Sequence, residues 1–142
     1  MSDRSFVDTN VLVYAHDTSA GVKHEKSREL VGRLWRDRSG VLSTQVLQEL
    51  YVNLRKAPHP LPAAEARLVV ADYLRWEVVV NTGESVLEAA DLEARYRLSF
   101  WDALILQAAA SSGVEVLYSE DLSHGQRYGA VRVVSPFAAS SP

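Results

Sequence analysis

The sequence predicts an α/β domain of three layers, a mostly parallel sheet of about five strands flanked by helices. Three observations lead there. Short Val-rich runs alternate along the chain with stretches of helical periodicity, the pattern of strand–helix–strand units. The runs are apolar throughout rather than alternating, as strands covered on both faces must be. Finally, 142 residues, 47% hydrophobic and 23% charged, suit one packed core.

The expected strands are Ser5-Phe6-Val7, Val41-Leu42-Ser43, residues 76–80, Val116-Leu117-Tyr118 and residues 131–134. Helical spacing fills the intervals at about residues 9–14, 23–38, 45–56, 63–74, 84–97 and 100–112. Pro58, Pro60 and Pro62 punctuate the third junction, and Pro62 is placed to open the following helix. In the helix over 45–56, Val46, Leu47, Leu50, Tyr51 and Leu54 form an apolar stripe that reads as core. In the helix over 100–112, no charge follows Asp102 and apolar or small residues wrap the circumference, so this helix is expected to be buried. Trp35, Trp76 and Trp101 occupy positions suited to the core. Residues 1–137 read as one domain, and residues 138–142 as a flexible tail.

Cysteine is absent, which excludes disulfide scaffolds, thiolate zinc sites and cysteine nucleophiles. The N-terminus lacks a signal-peptide pattern, and the nearly uncharged stretch 103–114 is shorter than the roughly 20 residues of a membrane span. A cytoplasmic protein without a membrane partner is the expectation.

Sheets of this class bind ligands beyond the carboxyl ends of their strands. Asp8 lies there after the first strand, either as a functional acid or as the N-cap of the next helix. Asp121 follows the fourth strand, as a functional acid or as a turn residue near Gly125. Glu49 flanks the apolar stripe of its helix with Asn53 one turn on, and a solvated role is open to it. Asp102 enters an apolar setting at a helix N-terminus where Ser99 is placed to cap, and the dipole there favours its charge. Glu120 is a less favoured member of the set, because sequence neighbours point apart.

If the four acids converge, they repel one another unless a cation lies between them. With no His or Cys in the group, Mg²⁺ or Mn²⁺ suits the all-oxygen set better than Zn²⁺. One or two such ions beside a phosphodiester point to phosphoryl-bond hydrolysis.

Across roughly residues 5–135, these motifs resemble a PIN domain, in particular the VapC-type toxin nuclease of bacterial toxin–antitoxin pairs. Val7-Asp8-Thr9-Asn10 resembles the family's first motif, and Gln48-Glu49-Leu50 carries a match to its helix-borne second acid. Phe100-Trp101-Asp102-Ala103 resembles the third motif and Ser119-Glu120-Asp121 the last. The resemblance implies a Mg²⁺- or Mn²⁺-dependent ribonuclease, a homodimer, and inhibition by a cognate antitoxin. It further implies that Asp8, Asp102 and Asp121 ligate metal. Glu49 would ligate a second ion or help generate the nucleophile, and Thr9, Asn10 and Ser119 would orient carboxylates or water.

Arg55 and Lys56 form a small basic patch that could meet the substrate backbone. The basic run over 23–38 is interleaved with acids and reads rather as a solvated face, and the four histidines are scattered. Two other functions compete. A phosphatase using Asp8 as nucleophile would want a second acid two residues on, where Asn10 stands, and a downstream Lys or Arg for the phosphoryl group, and no lysine follows Lys56. A nonenzymatic module of the same fold would be expected to have lost acids. The net charge of −3 does not oppose an RNA substrate: setting four acids aside leaves 14 of 18 against 15 basic residues, or +1.

Overall fold

The computed structural model describes residues 3–56 and 59–138. Among them are six strands in one sheet and six α-helices. The strands are β1 (Ser5–Val7), β2 (Gly40–Ser43), β3 (Glu77–Val79), β4 (Val116–Tyr118), β5 (Arg127–Tyr128) and β6 (Val131–Val134). The helices are α1 (Thr9–Ala15), α2 (Val22–Asp37), α3 (Thr44–Leu54), α4 (Ala63–Tyr73), α5 (Gly83–Tyr96) and α6 (Phe100–Ser112). None of the helices is long and apolar enough to cross a membrane.

The sheet order is β3-β2-β1-β4-β6-β5, parallel throughout except for the antiparallel β5–β6 pair. The chain builds outward from β1 to β2 and β3, then returns to place β4 on the other side of β1. This reversal makes the carboxyl ends of β1 and β4 the switch point, where an open parallel sheet leaves a crevice.

The sixth strand, β5, adds to the expected five. Arg127 and Tyr128 form a two-residue strand that turns through Gly129 and pairs back on β6. It is too short, and too polar in its first residue, to show a strand pattern. Gly129 has φ of 61°, the left-handed conformation that such a tight return requires.

The core gathers Phe6, Leu12, Leu42, Leu50, Ile105, Leu106 and Leu117, each at most 2% exposed. Side chains of this kind contribute about 1.5–3 kcal/mol each when fully buried. α6 is buried without interruption from Ala103 to Ala109 and touches β2, β3, β4 and β6. Its uniform apolarity thus has a structural cause: sheet on one side, and α5 on another.

Two core expectations are overturned. Trp101 is 62% exposed: it sits in the first turn of α6, beyond the sheet edge, where its side chain projects outward. Tyr51 is 36% exposed, because the buried stripe of α3 narrows to Val46, Leu47, Leu50 and Leu54 and leaves the next position at its rim. Trp35 and Trp76 do pack inward: Trp76 meets Trp35 and Tyr73 edge-on, and Trp35 lies tilted against Tyr73. Pro62 precedes α4 as its N-cap residue. Pro58 and residues 139–142 of the expected tail lie outside the described residues.

Candidate active site

Parallel pairing of β1 with β4 aligns Val7 with Tyr118, so the residues that follow each strand emerge side by side. The register is extended one step by the Asp8 amide, which donates to the Tyr118 carbonyl at 2.9 Å. Asp8 and Ser119 are therefore neighbours, although 111 positions separate them, and Ser119 Oγ donates to Asp8 Oδ2 at 2.8 Å. The other Asp8 oxygen accepts from the Thr9 amide at 2.7 Å, which makes Asp8 the N-cap of α1. Capping α1 and lining the cleft are thus compatible for one side chain. Ser119 Oγ also accepts from the Asp121 amide at 3.1 Å, holding the turn that presents Asp121.

The remaining acids come from helices. Thr9 Oγ1 donates to Glu49 Oε1 at 2.6 Å, tying α1 to α3. Gln45, one turn before Glu49, spans Glu49 Oε2 at 3.3 Å and the Trp101 carbonyl at 3.2 Å, tying α3 to α6. Ser99 Oγ accepts from the Asp102 amide at 3.1 Å and caps α6. Ser99→Ala should cost about 1 kcal/mol of stability, measured as a lower urea midpoint at unchanged slope.

Asp8, Glu49, Asp102 and Asp121 all line one cleft of about 460 Å³, together with Thr9 and Asn10. Asp8 is only 4% exposed, whereas Glu49 and Asp102 are half-buried and Asp121 is exposed. Burial pushes the Asp8 carboxyl up from 3.8 to about 7. The Ser119 and Thr9 hydrogen bonds oppose this rise, and the charges of Asp121 and Glu49 add to it. Asp102 is also raised, by burial first and by Asp121 and Glu49 after it, against the Ser99 hydrogen bond. A buried carboxyl that faces other carboxylates is costly to ionise unless positive charge joins it.

That cost frames the fit to a divalent cation. Among the described residues, no three Asp, Glu or His side chains stand close enough to grip one ion unaided. A pre-closed cage is not required, however, because Mg²⁺ keeps several waters and takes only one or two carboxylates directly. The donor set is all oxygen, and burial, with the neighbouring carboxylates adding to it, raises two of its members, so its chemistry fits a hard cation.

Several other sequence candidates stand outside this cluster. Glu120 turns away from the cleft, accepting from the Tyr14 hydroxyl at 2.8 Å and pairing with Lys23. Burial would raise its carboxyl, but the hydrogen bonds from Lys23 and Tyr14 hold it below its ordinary value. Its backbone amide donates to Asn10 Oδ1 at 3.3 Å, which braces the last motif against the first. Arg55 donates to the Leu61 carbonyl at 3.0 Å, and Lys56 lines a neighbouring depression that shares Val13 and Asn53 with the cleft. No histidine lines the cleft: His16 meets the Tyr73 hydroxyl, His24 the Tyr14 carbonyl, and His124 accepts from the Ser135 amide. Gln45 was not legible as a site residue. Its one signal is the four-residue spacing to Glu49, which places the two side chains on one helix face.

A family model described as the PIN domain matches residues 5–128. Solved structures share the architecture. VapC20 of Mycobacterium tuberculosis, described as a Sarcin-Ricin loop cleaving toxin, is 21% identical with a TM-score of 0.63, over 82% of this chain and 89% of that one. A toxin–antitoxin complex from Klebsiella pneumoniae is 18% identical with a TM-score of 0.69, over 95% and 99%. DNA-bound VapBC from Salmonella typhimurium is 21% identical with a TM-score of 0.67, over 96% and 99%. At such identities the likeness establishes a shared fold. No curated protein matches the chain by sequence. The family model spans most of the chain, including Asp8, Glu49, Asp102 and Asp121, and the chain belongs to the PIN domain family.

Proposed function

We propose that the protein is a Mg²⁺- or Mn²⁺-dependent ribonuclease, the toxin of a toxin–antitoxin pair, that hydrolyses RNA phosphodiesters at the carboxylate cleft. One observation carries this reading: four acids from four separate segments line a single cleft at the switch point, one of them buried at an energetic cost. Burying a carboxylate among carboxylates serves no packing purpose, and a cation offsets it. The structures described as the VapC20 cleaving toxin and as a toxin–antitoxin complex support the class of activity and an antitoxin partner.

In this reading Asp8, Asp102, Asp121 and Glu49 hold one or two cations. When bound, such a cation supplies positive charge against the phosphodiester and acidifies the attacking water. The chain's own contribution is orientation. Ser119 and the Thr9 amide fix the two oxygens of Asp8, while Thr9 Oγ1 and Gln45 aim Glu49. Asn10 holds the Glu120 amide and so steadies the turn that carries Asp121. Lys56, in the depression that adjoins the cleft through Val13 and Asn53, meets the RNA backbone, with Arg55 adding charge. Exposed Val86, Leu87 and Trp101 on α5 and α6 leave apolar surface for a protein partner, an antitoxin or a second copy in a homodimer. The site of action is the cytoplasm.

The test incubates the purified protein with structured RNAs and Mg²⁺ or Mn²⁺. Cleavage should appear, stop with EDTA and disappear in a folded Asp102→Asn variant. Cleavage indifferent to both treatments, or none with any of the RNAs, would overturn the reading in favour of a binding module.

A further inference from the structure

A second cavity lies at the other end of the sheet, beyond the amino ends of the strands. Arg4 precedes β1, Gly40 opens β2 and Glu77 opens β3, and all three line a cavity of about 420 Å³. Its remaining walls come from where α2 and α4 run out: Leu34, Trp35, Arg38, Arg75 and Trp76. None of these residues lines the carboxylate cleft.

The composition of this cavity is unusual for a merely structural gap. Trp35 and Trp76 meet in an edge contact with centroids 5.5 Å apart, and Trp35 is half-buried, leaving part of its indole to the cavity. Trp76 is 7% exposed, and its indole Nε1 is buried with no hydrogen-bond partner among the described residues. A buried indole N–H ordinarily finds an acceptor. Around these rings stand three guanidinium groups. Arg4 is committed to Glu77 and to the Ser112 carbonyl. Arg38 and Arg75 are exposed and make no ion pair among the described residues.

The local charge must outweigh the helix ends that face this edge. α2 and α4 both terminate here, and each C-terminus contributes roughly half a negative charge. Among the lining side chains Arg4 and Glu77 cancel, while Arg38 and Arg75 leave two positive charges to set against these helix ends. The half-buried Trp35 indole and the exposed guanidinium forks of Arg38 and Arg75 together match a base joined to a phosphate. We propose that this cavity binds a nucleoside monophosphate unit, base against the Trp35 indole and phosphate on Arg38 and Arg75. The unit can be a free nucleotide or one residue of an RNA strand. This site is independent of the carboxylate cleft and of its chemistry.

The test is calorimetric titration of the full-length protein in EDTA, with adenosine 5′-monophosphate, inorganic phosphate and a pentaadenylate as separate probes. The nucleotide unit should bind with Kd at or below about 1 mM, and inorganic phosphate at least about tenfold more weakly. A double variant, Arg38→Asn with Arg75→Ala, should weaken nucleotide binding at least about tenfold. Asn is chosen because Arg38 has φ of 54°, which Asn tolerates, and both side chains are exposed, so circular dichroism should remain unchanged. Asp102→Asn should leave this Kd unaltered. Binding of the pentaadenylate but not the mononucleotide would assign the site to RNA, and the converse to a free nucleotide. Either result supports the shared chemistry. The proposal fails if neither nucleotide probe binds up to about 5 mM, if the double variant binds as tightly as the wild type, or if phosphate alone binds as well as the nucleotide.

Discussion

Asp8→Asn should remove RNA cleavage and at the same time stabilise the cation-free protein at neutral pH. The Asp8 carboxyl is 4% exposed, and burial lifts it from 3.8 to about 7. A carboxyl raised on folding contributes its full stability below the unfolded value, near pH 3.8. That stability is lost as pH climbs through the window to about 7, because the unfolded chain ionises freely and the folded one does not. At pH 7 the cost is on the order of 2–4 kcal/mol. Asn carries no charge to desolvate, caps α1 as well as Asp does, and can still accept from the Thr9 amide.

Thermal unfolding in EDTA at pH 5 and pH 7.5 checks the stability half. The wild type should lose stability between the two, and the variant should lose less and melt higher at pH 7.5. Adding Mg²⁺ or Mn²⁺ should raise the wild type by mass action and leave the variant nearly unmoved. The kinetic half should show cleavage reduced by at least about 10²-fold, the scale on which removing one preorganised electrostatic group acts. A variant that melts lower at pH 7.5 would mean that the Ser119 and Thr9 hydrogen bonds outweigh desolvation. Stability gained with activity lost is the signature of a residue kept for chemistry against its structural interest.

The sheet-edge placement of Asp8 and the burial of α6 are readable in the sequence. Asp8 was legible because an acid directly after an apolar run lands at the edge of a sheet, and parallel register then brings β4 and its Ser119 alongside. α6 was legible because a helix apolar on every side must be buried on every side. Periodicity carries only which face is inward, and the misses follow from that. Trp101 shares the composition of a buried helix but sits in its first turn, past the sheet, so hydropathy placed it inside and topology places it outside. Glu120 differs from Asp121 only in which way a turn sends it, and its partners Lys23 and Tyr14 lie about a hundred residues upstream. Gln45 works through a carbonyl on another helix, a relation without local trace.

Gly40→Ala should be among the most disruptive single substitutions outside the cleft, costing about 3 kcal/mol, at the upper end for overpacking. Gly40 begins β2, and a Cβ there would lie 2.4 Å from Trp76 Cε3 and 2.5 Å from Cδ2. These are ring atoms and have no flexible end to swing aside. The indole cannot tilt freely either, since Tyr73 and Trp35 hold it by edge contacts at 5.1 and 5.5 Å. Nor can the backbone yield cheaply, because Gly40 pairs with Ser5 of β1 and its neighbour Val41 with Glu77 of β3. Glycine is required here by close approach and not by backbone conformation, which distinguishes it from Gly129 at a positive φ. Urea unfolding of Gly40→Ala, Trp76→Leu and the double variant tests the cause. If the clash is with the indole, Trp76→Leu should recover part of the loss, and the pair should be non-additive by at least about 1 kcal/mol. Additive losses would mean that the methyl group is accommodated and that any destabilisation arises elsewhere in β2.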